Sequence, residues 1–207
     1  MTSRILFQNI LTNILANNVS TNDIKYTLKD NKFHSENDVP AIETTTGIKA
    51  WFKDGALHRD TKDPTTGLTL PAFVKKGNCN ETLSEWWKND VQHRDDIDPV
   101  SRKYLPAEIF ICGESSYKCW KQNGIVHRPY KDGPAYINRY NEAYMENGLP
   151  HRLDDLPAVT STDKREMEWW VEGKRHRNTR DASGKLLPAV VRMNGVEEYW
   201  VEGVRQY

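Results

Sequence analysis

The chain lacks most features that announce a function. It has no excess of either charge: 29 Lys and Arg are matched by 29 Asp and Glu. Non-specific nucleic-acid affinity comes mainly from surplus positive charge, so no nucleic-acid partner is expected. Cysteine is scarce. Cys79, Cys112 and Cys119 are an odd number and too few for a disulfide framework. The chain therefore reads as one made in a reducing compartment, the cytoplasm. It has no apolar run of the ~18 residues that a membrane helix needs, so no membrane span is expected. The N-terminal MTSRILFQNILTNILANNVS is interrupted by Gln8, Asn9, Thr12 and Asn13 and is followed by no cleavage-site pattern. No secretory leader is expected there. Hydrophobic residues are only 37% of the chain and mean hydropathy is −0.78, which argues against one thick core. Seven Trp and nine Tyr offset this in part, because each buried aromatic removes a large area from water.

What is present is a pattern. The chain has six histidines: His34, His58, His93, His127, His151 and His176. The last five are each followed by arginine: Arg59, Arg94, Arg128, Arg152 and Arg177. Every His is followed, 6–7 or 12–13 residues later, by Pro-Ala, at 40–41, 71–72, 106–107, 134–135, 157–158 and 188–189. Seven residues before the last five stand Trp51, Trp86, Trp120, Tyr144 and Trp169. In the first copy Thr27 holds that place, with Tyr26 beside it. Three residues before each His is a turn residue: Asn31, Gly55, Asp90, Gly124, Gly148 and Gly173. A period of 24 to 35 residues predicts a repeat architecture of about six units. The long form of the unit carries about six extra residues after His-Arg and places Asp63, Asp98 and Asp181 five residues after the His.

Asp54-Gly55, Asn123-Gly124 and Asn147-Gly148 are strong signals for two-residue type I′ hairpins, whose central residues both need positive φ. Counting outward pairs Trp51 with His58, Trp86 with His93, Trp120 with His127, Tyr144 with His151 and Trp169 with His176. Each aromatic and its His are then cross-strand neighbours. A second hairpin is expected after Pro-Ala. With Asn194-Gly195 as a two-residue turn, Arg192 faces Glu197 and Val190 faces Tyr199. The predicted fold is all-β: an elongated antiparallel meander of about a dozen short strands, burying its aromatics as one stripe. Ile5, Leu6, Ile10, Leu11, Ile14 and Leu15 fit helical spacing and predict a short N-terminal helix that caps the first sheet edge. The expected division is a helical cap over 1–25 and a repeat array over 26–207. The last strand, after the turn at Glu202-Gly203, reads as an exposed or docking edge through which the chain would self-associate.

The W-x-x-[DN]-G-x-x-H signature resembles the MORN repeat family, whose units are short hairpins with a Y/W…G…H pattern. It is most similar to a variant with H-R-x-D-x-P-A in place of the family's H-G-x-G ending, as in proteins of large DNA viruses and phages. The resemblance covers residues 26–207. Because Arg stands where ordinary units have Gly, lipid binding is not carried over. The resemblance implies a repeat scaffold, in host cytoplasm or a virion, with capsid or other virion proteins as partners.

Catalytic and metal readings fare less well. His-Arg-Asp at 58–60 and 93–95 matches the start of a kinase catalytic loop, but Thr65 and Val100 stand where that loop needs Asn. Zinc needs converging ligands, whereas one His per unit gives a ladder with roughly 10 Å between rungs. Each His is expected to pack on its aromatic and to bond a neighbouring turn or carboxylate. Each following Arg is expected on the opposite sheet face, paired with an Asp such as Asp60, Asp95, Asp154 or Asp155. If Ser115-Ser116 forms a turn, Cys112 and Cys119 lie opposite each other, both as free thiols. The expectation is a non-enzymatic scaffold or protein-interaction protein, needing no cofactor, catalytic residue or metal. In it, Trp51, His58, Trp86, His93, Trp120, His127, Tyr144, His151, Trp169 and His176 define the repeat. Arg59, Arg94, Arg128, Arg152, Arg177, Asp63, Asp98 and Asp181 are the candidate interaction residues. A factor that binds a host protein or sequesters a small ligand is the alternative.

Overall fold

The computed structural model describes residues 23–77 and 80–206. The helix expected within residues 3–17 and the thiol of Cys79 lie outside the described residues. Within them the fold is all-β, and the one helical piece is a 3-10 turn at Gly113–Ser115.

Two compact units divide the chain, residues 1–93 and 94–207. In the first, five strands pair antiparallel in sequence order: Ile24–Tyr26, Ile42–Thr44, Ile48–Ala50, Phe73–Lys76 and Thr82–Glu85. In the second, nine do so: Glu108–Ile111, Tyr117–Cys119, Tyr136–Asn138, Asn141–Ala143, Val159–Ser161, Met167–Glu168, Val190–Val191, Glu197–Val201 and Val204–Gln206. Neighbours in sequence are neighbours in space, so each unit is a meander without crossovers. Period-2 alternation sets the face. Ile48 and Ala50 are buried while Lys49 between them is exposed. The turn into that strand requires Gly47, because a Cβ there would lie 2.3 Å from the Lys76 carbonyl oxygen.

Between ladder strands, six two-stranded hairpins separate from the ladder are found among the described residues. The sequence-based expectation put all strands into one meander. The aromatic is the junction: its amide still bonds to the ladder, and its carbonyl takes the closing bond of the hairpin. The Trp51, Trp120, Tyr144 and Trp169 amides donate to the carbonyls of Ala72, Ala135, Ala158 and Ala189. The predicted hairpin register is present. Phe52 faces Leu57, Lys53 faces Ala56, and the His58 amide donates to the Trp51 carbonyl at 3.0 Å. The same bond joins His93 to Trp86, His127 to Trp120, His151 to Tyr144 and His176 to Trp169. Both turn residues have positive φ in each of these six hairpins, including Asp54 (φ 52), Asn123 (φ 51) and Glu172 (φ 49), as type I′ geometry demands.

Three expected pairings are off. Val190 faces Glu198, Val191 faces Glu197, and the Arg192 amide donates to the Val196 carbonyl. The loop holds three residues, Met193 to Gly195, with only Gly195 at positive φ (82). This is a type I turn closed by a left-handed glycine, and the extra residue slides the register by one. Cys119 faces Glu108 rather than Cys112, because the 3-10 turn at 113–115 displaces the expected Ser115-Ser116 turn. Cys112 and Cys119 are free thiols, and burial pushes the Cys119 thiol up to about 11.

The core of the first unit is not the tryptophan row. It gathers Phe33, Ile42, Ile48, Phe52, Leu57 and Phe73 around Ala41, Ala50 and Ala72. The alanine of each of the six Pro-Ala pairs is 0% exposed. Close strand packing leaves room there for one methyl group.

Candidate functional site

The recurring residues converge on two joints. At the first, His34, His58, His127, His151 and His176 each hold the next hairpin. The amides of Asp54, Asn89, Asn147, Glu172 and Glu202 donate to Nδ1 of His34, His58, His127, His151 and His176 at 3.0–3.2 Å. The second turn residue adds a bond to the same hairpin, as Gly55 does to the Phe33 carbonyl and Gly148 to that of Val126. A type I′ turn points successive N–H groups outward, and an imidazole nitrogen and a carbonyl receive them. A neutral imidazole that accepts at Nδ1 must carry its proton on Nε2. His93 keeps its hairpin register to Trp86.

At the second joint, the arginine is not on the face opposite the aromatic. It lies over it. The guanidinium carbons of Arg59, Arg128, Arg152 and Arg177 sit 3.7, 4.1, 3.7 and 4.0 Å from the ring centroids of Trp51, Trp120, Tyr144 and Trp169. The hairpin turn allows this, since it frees the residue after His from sheet alternation. Nη1 of each, and of Arg94, then donates to the carbonyl of the next Pro-Ala proline, at 3.0–3.1 Å. Each arginine therefore clamps its loop to its aromatic. Arg94 and Arg128 are 8% and 7% exposed.

The carboxylate partners match expectation in part: Asp155 is one of the aspartates expected, whereas Asp38 and Asp96 are not. Nε and Nη2 of Arg59 grip Asp38 at 2.8 and 2.6 Å, and those of Arg177 grip Asp155 at 2.8 and 2.9 Å. Both Asp residues come from the loop before, two residues ahead of its proline. Arg94 bonds Asp96 in its own loop at 2.9 Å. The Arg59 and Arg177 forks hold the Asp38 and Asp155 carboxyls below the usual carboxylate range. The loop aspartates do something else. Oδ1 of Asp63 accepts the Thr65 and Thr66 amides, that of Asp98 those of Val100 and Ser101, and that of Asp181 those of Ser183 and Lys185. Each caps the turn of its own loop, and these bonds lower its pKa.

Sequence reasoning missed a third contact. The indoles of Trp87, Trp170 and Trp200 donate to Glu85, Glu168 and Glu198, two residues earlier. The signal was there as Glu-aromatic-Trp at 85–87, 168–170 and 198–200.

The first unit has a polar cleft of about 250 Å3, lined by residues including His34, Ser35, Lys53, His58 and Asp60. His58 Nε2 is buried there without a hydrogen-bond partner, and the Asp60 carboxylate 3.4 Å away is beyond the usual range. The Nδ1 lone pair is engaged by Asn89, and Ser35 Oγ accepts the Phe52 amide. Among the described residues, no group of three or more His, Cys, Asp or Glu is placed to hold a metal ion, and no helix is long and apolar enough to cross a membrane.

No family model, curated protein or solved structure matches the chain.

Proposed function

We propose that the chain is a non-enzymatic repeat scaffold of the MORN-like hairpin kind, working as a protein-interaction component of a larger assembly such as a virion. One observation carries this reading: the chemistry-bearing side chains that recur are consumed by the fold itself. Five histidines have their Nδ1 lone pairs engaged by neighbouring turns, and four arginines lie stacked on aromatics and bonded to carbonyls. What differs from one hairpin to the next is the loop after His-Arg, and loops on a rigid frame are where binding usually resides. Docking through the edge strand 204–206 belongs to the same proposal.

Quantitative mass spectrometry of purified particles tests it. A structural component is expected in stoichiometric amounts. Absence from particles, with one specific host protein co-purifying, would replace this reading by that of a host-directed factor.

A further inference from the structure

Three long loops close in the same way, and one departs from the others at a position where departure is costly. In the loop at 63–68, the Gly67 amide donates to the Asp63 carbonyl and the Asp63 amide to the Leu68 carbonyl, both at 2.8 Å. In the loop at 98–103, Arg102 donates to Asp98 and Asp98 to Lys103, both at 2.9 Å. In the loop at 181–185, Gly184 donates to Asp181 at 3.0 Å and Asp181 to Lys185 at 2.9 Å. The residue before the closing partner is left-handed in all three: Gly67 at φ 69, Gly184 at φ 84 and Arg102 at φ 59. Glycine adopts that conformation without steric cost, and arginine does not.

The first two loops align residue for residue, as Asp-Pro-Thr-Thr-Gly-Leu and Asp-Pro-Val-Ser-Arg-Lys. One backbone thus carries two sets of side chains. Val100 stands where the sister loop has Thr65, Arg102 where it has Gly67, and Lys103 where it has Leu68. Val100 is 89% exposed, more than any other large hydrophobic among the described residues. A lone exposed valine needs no explanation. A valine beside two cations, one of them held in a strained conformation that a sister loop gives to glycine, does. Oδ1 of Asp98 is engaged by the Val100 and Ser101 amides.

We propose that the tip at 99–103 is a docking knuckle for a protein partner that offers an apolar socket to Val100, rimmed by Asp or Glu carboxylates for Arg102 and Lys103. This rests on the reading of the chain as an interaction protein. The tip is ordered before contact, by the Ile97–Tyr104 bridge and the Leu105 amide bonded to Asp96, so little loop entropy is lost on docking. Arginine suits the site because its planar fork takes a carboxylate bidentately.

The probe is a random peptide library, selected on the full immobilised chain, with single peptides then titrated. The enriched peptides are expected to combine Asp or Glu with large apolar residues. Val100→Ser and Arg102→Gly should each weaken them by about tenfold or more. Thr65→Ser, on the sister loop, should leave affinity unchanged. Arg102→Gly should melt no lower than the parent, which separates lost contact from lost fold. Peptides that bind both variants as tightly as the parent would sink the knuckle and leave the interaction reading standing. No enrichment at all would count against both.

Discussion

At the scale of the residue, two contacts carry more weight than their types suggest. Trp120 is 6% exposed and supports the guanidinium of Arg128. Trp120→Ala removes a large buried aromatic and strips a buried cation of its stacking partner. It should cost about 3–5 kcal/mol, read as a lowered urea midpoint. A variant that melts like the parent would mean that the stacked pair lies outside the stabilising core. The histidine joints should be unequal. The bond between the Asn89 amide and His58 is partly buried, because the His58 ring is 9% exposed, whereas the bond between the Asn147 amide and His127 is exposed. An unsatisfied buried donor costs about 1–3 kcal/mol, against about 0.5–1.5 for an ordinary bond. His58→Ala should therefore destabilise more than His127→Ala, and equal losses would contradict the joint geometry. A Gln should substitute better than Ala, since its amide oxygen also accepts. Gln206 already stands at the histidine place of the last hairpin, opposite Tyr199.

At the scale of the element, the turns and the arginine forks decide. Glu172 holds a left-handed turn position at φ 49 that Asn occupies at 123 and 147. Asn tolerates this conformation and Glu does not, so Glu172→Asn should raise stability by roughly 0.5–1 kcal/mol, measured by thermal melting. A drop would show that the Glu172 side chain holds something worth more than the strain. The forks set an acid response. The Asp38 and Asp155 carboxyls are lowered in the fold, first by their hydrogen bonds to Arg59 and Arg177. A depressed folded pKa stabilises above the unfolded value of about 3.9 and ceases to do so as pH falls through the lower folded value. Urea midpoints should accordingly fall below about pH 4 in the parent, and less steeply when both residues are Asn. Identical slopes would mean that the forks add nothing. The hairpin turns were legible in the sequence because Asn-Gly and Asp-Gly have few other uses. The turn at Asn194-Gly195 misled for the same reason. That dipeptide also fits a three-residue loop, and only the ladder bonds around it select which.

At the scale of the whole molecule, each unit is a chain of near-identical neighbours, and the second can be shortened within itself. Trp169 holds in its hairpin the place of Tyr144 in its own, each bonded to the carbonyl of a 0% exposed alanine. Removing 144–168 should place the Glu172-Gly173 turn onto His127 and Val126 and leave a folded protein, checked by circular dichroism and a cooperative melt. Collapse of the β signal would argue that the unit closes on itself instead. The cut must respect the period, because one residue more or less turns every following side chain to the wrong face.

The sequence by itself determined the spacing of the hairpins, their turn type and the opposition of each His to its aromatic. These follow from local rules: positive φ at two residues and counting outward from them. It did not determine what the side chains would touch. The arginines stack on the aromatics instead of facing away. The aspartates that grip Arg59 and Arg177 come from the preceding loop, and the Asp five residues after His closes its own turn. Those outcomes depend on how one hairpin sits against the next, and that placement comes from backbone bonds between residues far apart in the chain. Only the folded structure also shows that Val100, Arg102 and Lys103 share a loop tip with the backbone of a sister loop that has Gly67.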